Sequence, residues 1–269
     1  MSDPTGAGGV LADALACAAM GCHAACAITA VVVQDSRRVE DVLVLDDEWV
    51  DDQARAVLQD MPVAAFKVGA VGSADNAQAI AEILSDYPDL PVVLDPFADD
   101  AGEQAEFDPE LIGAMRELLL PQTTVLTVNL AQARRLIALA DDDDAAEEFA
   151  AADCAKTLLE WGAEYVLITA AESTSGPIVN RLFGDDGSVQ DESVERVDLT
   201  FRGAGDTLSA TIAALLAQGI DVGDAVREAN EFLERALAGG FRLGMGDAVP
   251  DRLFWANDDL PEPDDDEPR

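Results

Sequence analysis

The sequence predicts an α/β fold in which a mainly parallel sheet carries helices on both of its faces. Three observations carry that expectation. Apolar, β-branched runs at residues 27–34, 64–69, 91–96, 124–129 and 165–169 show little polar alternation, the mark of strands covered on both faces. Stretches of helical period separate these runs, and a β-then-α rhythm folds through right-handed crossovers into a parallel sheet. A Gly-x-Gly turn at Gly203 and Gly205 opens directly into the apolar helix pattern Leu208, Ile212, Leu215 and Leu216. With 269 residues, 49% of them apolar, the chain can bury a large core in one domain.

In chain order, the turn-rich segment 2–9 feeds an Ala-rich helix that ends at Gly21. Residues 27–34 then read as a fully buried parallel strand, with Gln34 at the sheet's carboxyl edge, where open α/β sheets bind ligands. Acidic alternation follows over 39–50. Residues 51–58 read as a surface helix with its apolar face on Ala54, Val57 and Leu58. The short strand 64–69 carries Lys67, residues 75–84 have helical spacing, and 91–96 is a buried strand ending in Asp95. An acidic loop at 98–103 precedes a helix from Asp108 to about Leu120, with Pro109 at its first position. Strand 124–129 ends in Asn129. The acidic insert 141–144 leads to a helix over 145–161 stopped by Gly162, and strand 165–169 ends in Thr169. Residues 180–199 read as a polar hairpin turning at Asp185-Asp186-Gly187. After the glycine turn come a second helix, 222–237, a glycine-rich stretch, 239–246, and an apolar anchor, 250–255. The expected organisation is one domain over 1–257 with an acidic, disordered tail over 258–269.

The net charge is −38, from 54 Asp and Glu against 16 Lys and Arg, and Lys67 and Lys156 are the two lysines. Such a surface stays hydrated and self-repels unless salt screens it, so a halophilic protein or a high-salt cytoplasm is the expectation. Nucleic-acid binding is disfavoured and no such partner is expected, because no basic stripe exists to neutralise phosphates. Cys17, Cys22, Cys26 and Cys154 form no Cys-x-x-Cys pair, and His23 is the sole histidine. They read as small buried apolar residues rather than a zinc site. The N-terminus has no secretory pattern and no apolar run reaches about 18 residues, which points to a soluble, cytoplasmic protein that does not enter a membrane.

The chemistry-bearing stretch is 202–210, Arg-Gly-Ala-Gly-Asp-Thr-Leu-Ser-Ala. Without a Cβ, Gly203 and Gly205 let the backbone turn tightly and aim N–H groups at an anion, and the positive end of the following helix supports the same charge. Asp206 in the first turn suits either a structural N-cap or a base. The pattern lacks the Lys-Ser/Thr of a Walker A loop and the third glycine of a dinucleotide fingerprint.

Gly-Ala-Gly-Asp-Thr-Leu-Ser-Ala resembles the signature near the C-terminus of ribokinase-like small-molecule kinases. The resemblance implies a three-layer αβα fold, Asp206 as the base, the N–H groups of Gly203, Ala204 and Gly205 around the transferring phosphoryl, and Thr207 on the nucleotide side. Residues 2–9, with Ala27-Ile28-Thr29-Ala30 and Gln34 before an Asp-Ser turn, are similar to hydroxymethylpyrimidine/phosphomethylpyrimidine kinases of thiamine biosynthesis. That likeness implies ATP and Mg²⁺ as cofactors and a small pyrimidine as substrate, with a homodimer left open. It also implies site roles: Gln34 reading the aminopyrimidine, with Asp3, Gly8 and Val32 lining the same pocket and Phe97 covering it. Asp95 would lie near the magnesium-bound phosphates, Asn129 would hold a magnesium water, and Thr169 would touch ATP phosphate. Lys67 would help form the pocket floor, or else be a strand-end cation paired with an acid.

Several positions depart from the family's pattern. Asp206 stands where these kinases carry Cys, Val128 where they carry Pro, Gln132 where they carry an acid, and the loop 98–103 is acidic where theirs holds Gly, Ser and Lys. The family has a buried strand before the Ser-Asp-Pro loop, and only Met1 precedes it here, so the expectation is a start site further upstream. Asp206 matches what pyridoxal-type kinases place there, which keeps a pyridoxal-like substrate open. A catalytically weak pyrimidine-sensing module is the reading from another class.

Overall fold

The computed structural model describes residues 1–97, 108–141, 144–172 and 176–257. The acidic loop 98–103, Asp142 and Asp143 of the insert, and the tail 258–269 lie outside the described residues.

Helix α1 (Gly9–Ala19) follows the N-terminal loop and leads to strands β1 (Ala30–Gln34) and β2 (Val39–Val44). Next come α2 (Asp47–Asp60), β3 (Phe66–Val68), α3 (Ala74–Ser85), β4 (Val92–Leu94), α4 (Pro109–Ala114), β5 (Val125–Asn129), α5 (Leu130–Asp141), α6 (Ala151–Glu160) and β6 (Tyr165–Glu172). The chain closes with the hairpin β7 (Ile178–Gly184) and β8 (Val189–Val194), then α7 (Ala204–Ala217) and α8 (Val222–Ala238). Six strands form the central sheet in the order β3-β4-β5-β6-β7-β8. Pairing is parallel from β3 to β6 and antiparallel for β6 with β7 and β7 with β8.

Continuous apolar runs become strands here because both faces of the sheet are covered. Leu94, Leu126, Val128, Val166 and Ile168 point to one core with Ala77 and Leu84 of α3, Ile112 of α4, Leu136 of α5 and Leu158 of α6. The alternate residues Val93, Val125 and Leu167 point to the other, with Leu208 and Ile212 of α7 and Val226 and Leu233 of α8. Period-two alternation thus divides one run between two hydrophobic layers. The result is a helix-sheet-helix sandwich.

The run 27–34 differs from expectation. Its strand starts at Ala30 and pairs antiparallel with β2 in a separate two-stranded sheet, with Val31 opposite Leu43. Ala30 and Val32 are buried while Val31 and Val33 are exposed, so one face of this strand is in contact with the protein and the other with solvent. The acidic alternation after it is strand β2. Ser2 runs alongside β1, its N–H donating to the Ala30 carbonyl at 2.8 Å and its carbonyl accepting from Val32 N–H at 3.1 Å. The surface helix is longer than its apolar stripe, spanning Asp47–Asp60.

Other local signals act as expected. Asp108 caps α4 by accepting from Glu110 N–H, with Pro109 in the first turn. Asp185-Asp186-Gly187 turns the β7–β8 hairpin, with Gly187 at φ 84°. The 250–255 anchor docks on α8: the Phe254 and Trp255 rings lie 5.6 and 6.2 Å from the Phe232 ring.

Candidate active site

The parallel strands aim their carboxyl ends at one edge of the sheet, and α7 starts at the same edge. Lys67 lies on β3 and Asp95 directly after β4, while Asn129 and Thr169 end up side by side in the β5–β6 register. Gly203 holds the N-cap of α7 in the left-handed region at φ 78°. A side chain there would be strained, and its Cβ would overlap the Ala7 carbonyl, so glycine is required twice over. The first turn leaves the N–H groups of Ala204, Gly205 and Asp206 outside the helix's own ladder.

Asp206 does not cap its own helix. Its Oδ2 accepts from Gly9 N–H at the start of α1, at 2.9 Å, and its Oδ1 accepts from Lys67 Nζ at 2.9 Å. The same ammonium lies 2.9 Å from Asp13 Oδ1 on α1 and 3.9 Å from Asp95 Oδ2. Lys67 is therefore the centre of three carboxylates, with its side chain only 9% exposed. Lys67 is thus a paired cation, and its acids come from three separate parts of the fold.

Burial by itself would lower the Lys67 pKa. The charges of Asp13, Asp206 and Asp95 outweigh it and hold the ammonium well above its ordinary value. For Asp206, burial pushes the carboxyl upward, but Lys67, the Gly9 N–H and the Arg252 charge together keep it below the usual carboxylate range. Asp13 has no such set of donors. Burial, reinforced by the Asp206 charge and opposed by Lys67, raises it to about 6.

Arg252, only 3% exposed, ties this corner together. Its Nε donates to Thr207 Oγ1 at 2.8 Å, and its Nη2 donates to the carbonyls of Ala7 and Gly203. Thr207 Oγ1 in turn donates to the Gly203 carbonyl at 2.6 Å. The Thr207 hydroxyl thus faces inward and fixes the glycine turn against the N-terminal loop. Arg252→Met keeps bulk but leaves buried carbonyls without a donor. The expected loss is about 3 kcal/mol, seen as a melting midpoint lower by roughly 10 °C; an unchanged midpoint would contradict the clamp.

Asp3 shapes the loop that carries Gly8. Its carboxylate accepts from Thr5 N–H and from Gly8 N–H, at 2.7 and 2.9 Å. A Cβ on Gly8 would stand 2.8 Å from Asp206 Oδ2, so the glycine admits the carboxylate to this spot. Gln34 is at the far side, its Oε1 accepting from Arg202 Nη1 at 3.2 Å. Next to that pair a cleft of about 250 Å³ opens between Thr5, Ala7, Ser36, Arg202, Asp247 and Val249. Val32 is buried within β1, and Phe97 is buried in the core on the α3–α6 side.

Asp95 Oδ2 accepts from Ser209 Oγ at 2.7 Å, joining the end of β4 to α7. Asn129 and Gln132 exchange hydrogen bonds, Asn129 N–H to Gln132 Oε1 at 2.9 Å and Gln132 N–H to Asn129 Oδ1 at 2.8 Å. This is a reciprocal cap on α5 that an amide forms as well as an acid. Carboxylate and amide oxygens are the hard donors that Mg²⁺ takes, and it binds few of them because it keeps waters. No group of three or more His, Cys, Asp or Glu poised for a metal occurs among the described residues. Arg202 and Ser209 belong to the stretch 202–210 but had no role assigned from the sequence, and Asp13 and Arg252 were missed. Arg252 had a signal, since a cation inside an apolar anchor needs partners.

The family profile described as phosphomethylpyrimidine kinase matches residues 3–251. The chain is 34% identical over 247 residues to hydroxymethylpyrimidine/phosphomethylpyrimidine kinase of Streptomyces coelicolor, covering 91% of this chain and 89% of that one. It is 30% identical over 248 residues to the enzyme of the same description from Escherichia coli, covering 92% of each. Among solved structures, the ADP complex of Bacillus subtilis pyridoxal kinase superposes with a TM-score of 0.83 at 27% identity, covering 95% of this chain and 96% of that one.

Proposed function

Because the chain belongs to the phosphomethylpyrimidine kinase family, we propose that it transfers the γ-phosphoryl of ATP to 4-amino-5-hydroxymethyl-2-methylpyrimidine and then to the resulting monophosphate. The observation that carries this reading is Asp206, a half-buried carboxylate held as an anion at the N-terminus of α7 beside a Gly-x-Gly turn. Asp206 takes the hydroxymethyl proton, the freed oxygen bonds to the γ-phosphorus, and the bond from that phosphorus to the β,γ-bridging oxygen breaks, releasing ADP. Backbone N–H groups of the turn at Gly203, Ala204 and Gly205 steady the charge on the phosphoryl oxygens in flight.

Placement supports the remaining roles. Gln34, oriented by Arg202, offers an amide to the edge of an aminopyrimidine. Asp3 and Gly8 shape the loop between that edge and Asp206. Asn129, the last residue of β5, and Thr169, its partner within β6, lie on the nucleotide side, with Thr207 behind the turn. Asp95, with Asn129 through water, would hold Mg²⁺, which when bound neutralises phosphate charge.

A pyridoxal-type substrate is the second reading, favoured by the carboxylate at Asp206 where these pyrimidine kinases carry Cys. One experiment separates the readings: ADP release with hydroxymethylpyrimidine, its monophosphate and pyridoxal measured in parallel. Turnover of both pyrimidines is expected. Turnover of pyridoxal alone would transfer the assignment to the second reading, and saturable pyrimidine binding without turnover would leave a sensing module.

A further inference from the structure

We infer that Asp13 is a positioning residue that keeps Asp206 basic, by holding the Lys67 ammonium between the two carboxylates so that it does not collapse onto Asp206. This rests on the proposal that Asp206 is the base. Asp13 projects from α1, and its Oδ1 lies 2.9 Å from Lys67 Nζ. That ammonium lies at the same 2.9 Å from Asp206 Oδ1. Asp13 Oδ1 accepts no further hydrogen bond, so Lys67 is what it faces.

A base beside a cation is a poor base. Asp206 is already favoured as an anion by the Gly9 N–H and the N-terminus of α7. Were Lys67 its exclusive partner, accepting the substrate's proton would leave a buried ammonium whose nearest anion is Asp95, 3.9 Å away. With Asp13 ionised, the ammonium has an equal second anion. It remains paired while Asp206 passes from carboxylate to carboxylic acid, so the proton transfer does not strand a buried charge.

The pH dependence follows with a definite sign. Burial raises Asp13 to about 6, with Asp206 adding to the rise and Lys67 opposing it. Below that pH Asp13 is neutral and the full field of Lys67 falls on Asp206, which then accepts a proton less readily. Above it the sharing is restored. The charged and titratable groups that act on Asp13 or feel its charge are Lys67 of β3, Asp206 of α7, the Met1 amine, Cys17 on α1, Cys26 before β1, and Arg252.

The test is kcat for the hydroxymethyl substrate from about pH 5 to about pH 8 in the wild type, Asp13→Asn, Asp13→Glu and Asp206→Asn, with KM for ATP and a melting curve for each. The wild type is expected to show an inflection near 6, with kcat about tenfold lower on its acid side. Asp13→Asn should be flat at that lower rate, with KM for ATP within about twofold, while Asp13→Glu retains an inflection. An inflection that persists in Asp13→Asn, or wild-type kcat in that variant above about pH 7, overturns the inference. So does a flat, slow profile in a folded Asp13→Glu, which would assign the loss to packing. If Asp206→Asn is inactive, such a result overturns the role of Asp13 alone; full activity in Asp206→Asn removes the base itself, and this inference with it.

Discussion

Asp206→Asn lowers the rate of hydroxymethyl phosphorylation by a factor of about 10² or more, and leaves nucleotide affinity nearly unchanged. The amide is isosteric, but it has no lone pair basic enough to take the alcohol's proton. The N–H groups of the glycine turn do not depend on the Asp206 side chain, so the nucleotide's anchorage survives. The second phosphorylation supplies an internal control. Its nucleophile is a phosphate oxygen, and a phosphate monoester with its second pKa of about 6 is largely ionised near neutrality. No proton has to be removed, so Asp206→Asn should slow the second step far less than the first. Equal losses in both steps would show that Asp206 acts through charge or folding rather than as a base, and undiminished activity in both would remove it from the mechanism. The clamp of Lys67 and Gly9 on this carboxylate is a reason to measure the melting curve alongside, since the amide cannot accept the same charged contact.

Strands β4, β5 and β6 are legible in the sequence because they are covered on both sides: no polar residue interrupts Val92–Leu94, and the one in Val125–Val128, Thr127, is β-branched and buried, its hydroxyl donating to the Leu94 carbonyl. β1 has the same composition and a different environment. Val31 and Val33 are as apolar as Val32, yet they face outward on a two-stranded sheet, and a run of valines does not record whether its second face is covered. The glycine turn was legible for a related reason: Gly203 adopts a backbone conformation that other residues resist, against a carbonyl that leaves no room for a side chain. Lys67 was legible as a pocket residue or a paired cation, but not as the hub of three acids, because Asp13, Asp95 and Asp206 meet only through tertiary contact. Asp13 is one acid on an Ala-rich helix, a local pattern that also describes a solvated face. Arg252 acts on the glycine turn from 45 residues beyond Thr207, and such a separation leaves no trace in periodicity or spacing.

The melting midpoint should rise steeply between low and molar chloride. The chain has 54 acidic and 16 basic side chains. The shortage of surface cations is worse than that ratio, because Lys67, Arg202 and Arg252 are enclosed at the site rather than paired on the surface. The surface pairs that do form include Arg55 with Asp51 and Asp86, Arg181 with Asp191, and Arg227 with Asp224. Pairs so exposed contribute at most about 1 kcal/mol each, and the acids remain in large excess over the cations. Unfolding separates them, so repulsion works against the native state. At about 0.1 M salt the Debye length is about 10 Å and neighbouring acids still interact; at about 1 M it is about 3 Å and most of that repulsion is screened. Relief of a few kcal/mol, at about 2–4 °C per kcal/mol for a chain of this size, gives a rise on the order of 10 °C. Salt also screens the approach of nucleotide phosphate to the glycine turn, which opposes activity. N–H contacts at a helix end act at hydrogen-bond distance, well inside even the molar Debye length, so the gain in folded protein should dominate and activity should increase with chloride. Melting curves at low and molar potassium chloride, with activity measured in each, decide the matter: a midpoint unchanged or lower in molar salt would refute the account of the charge as an adaptation to salt.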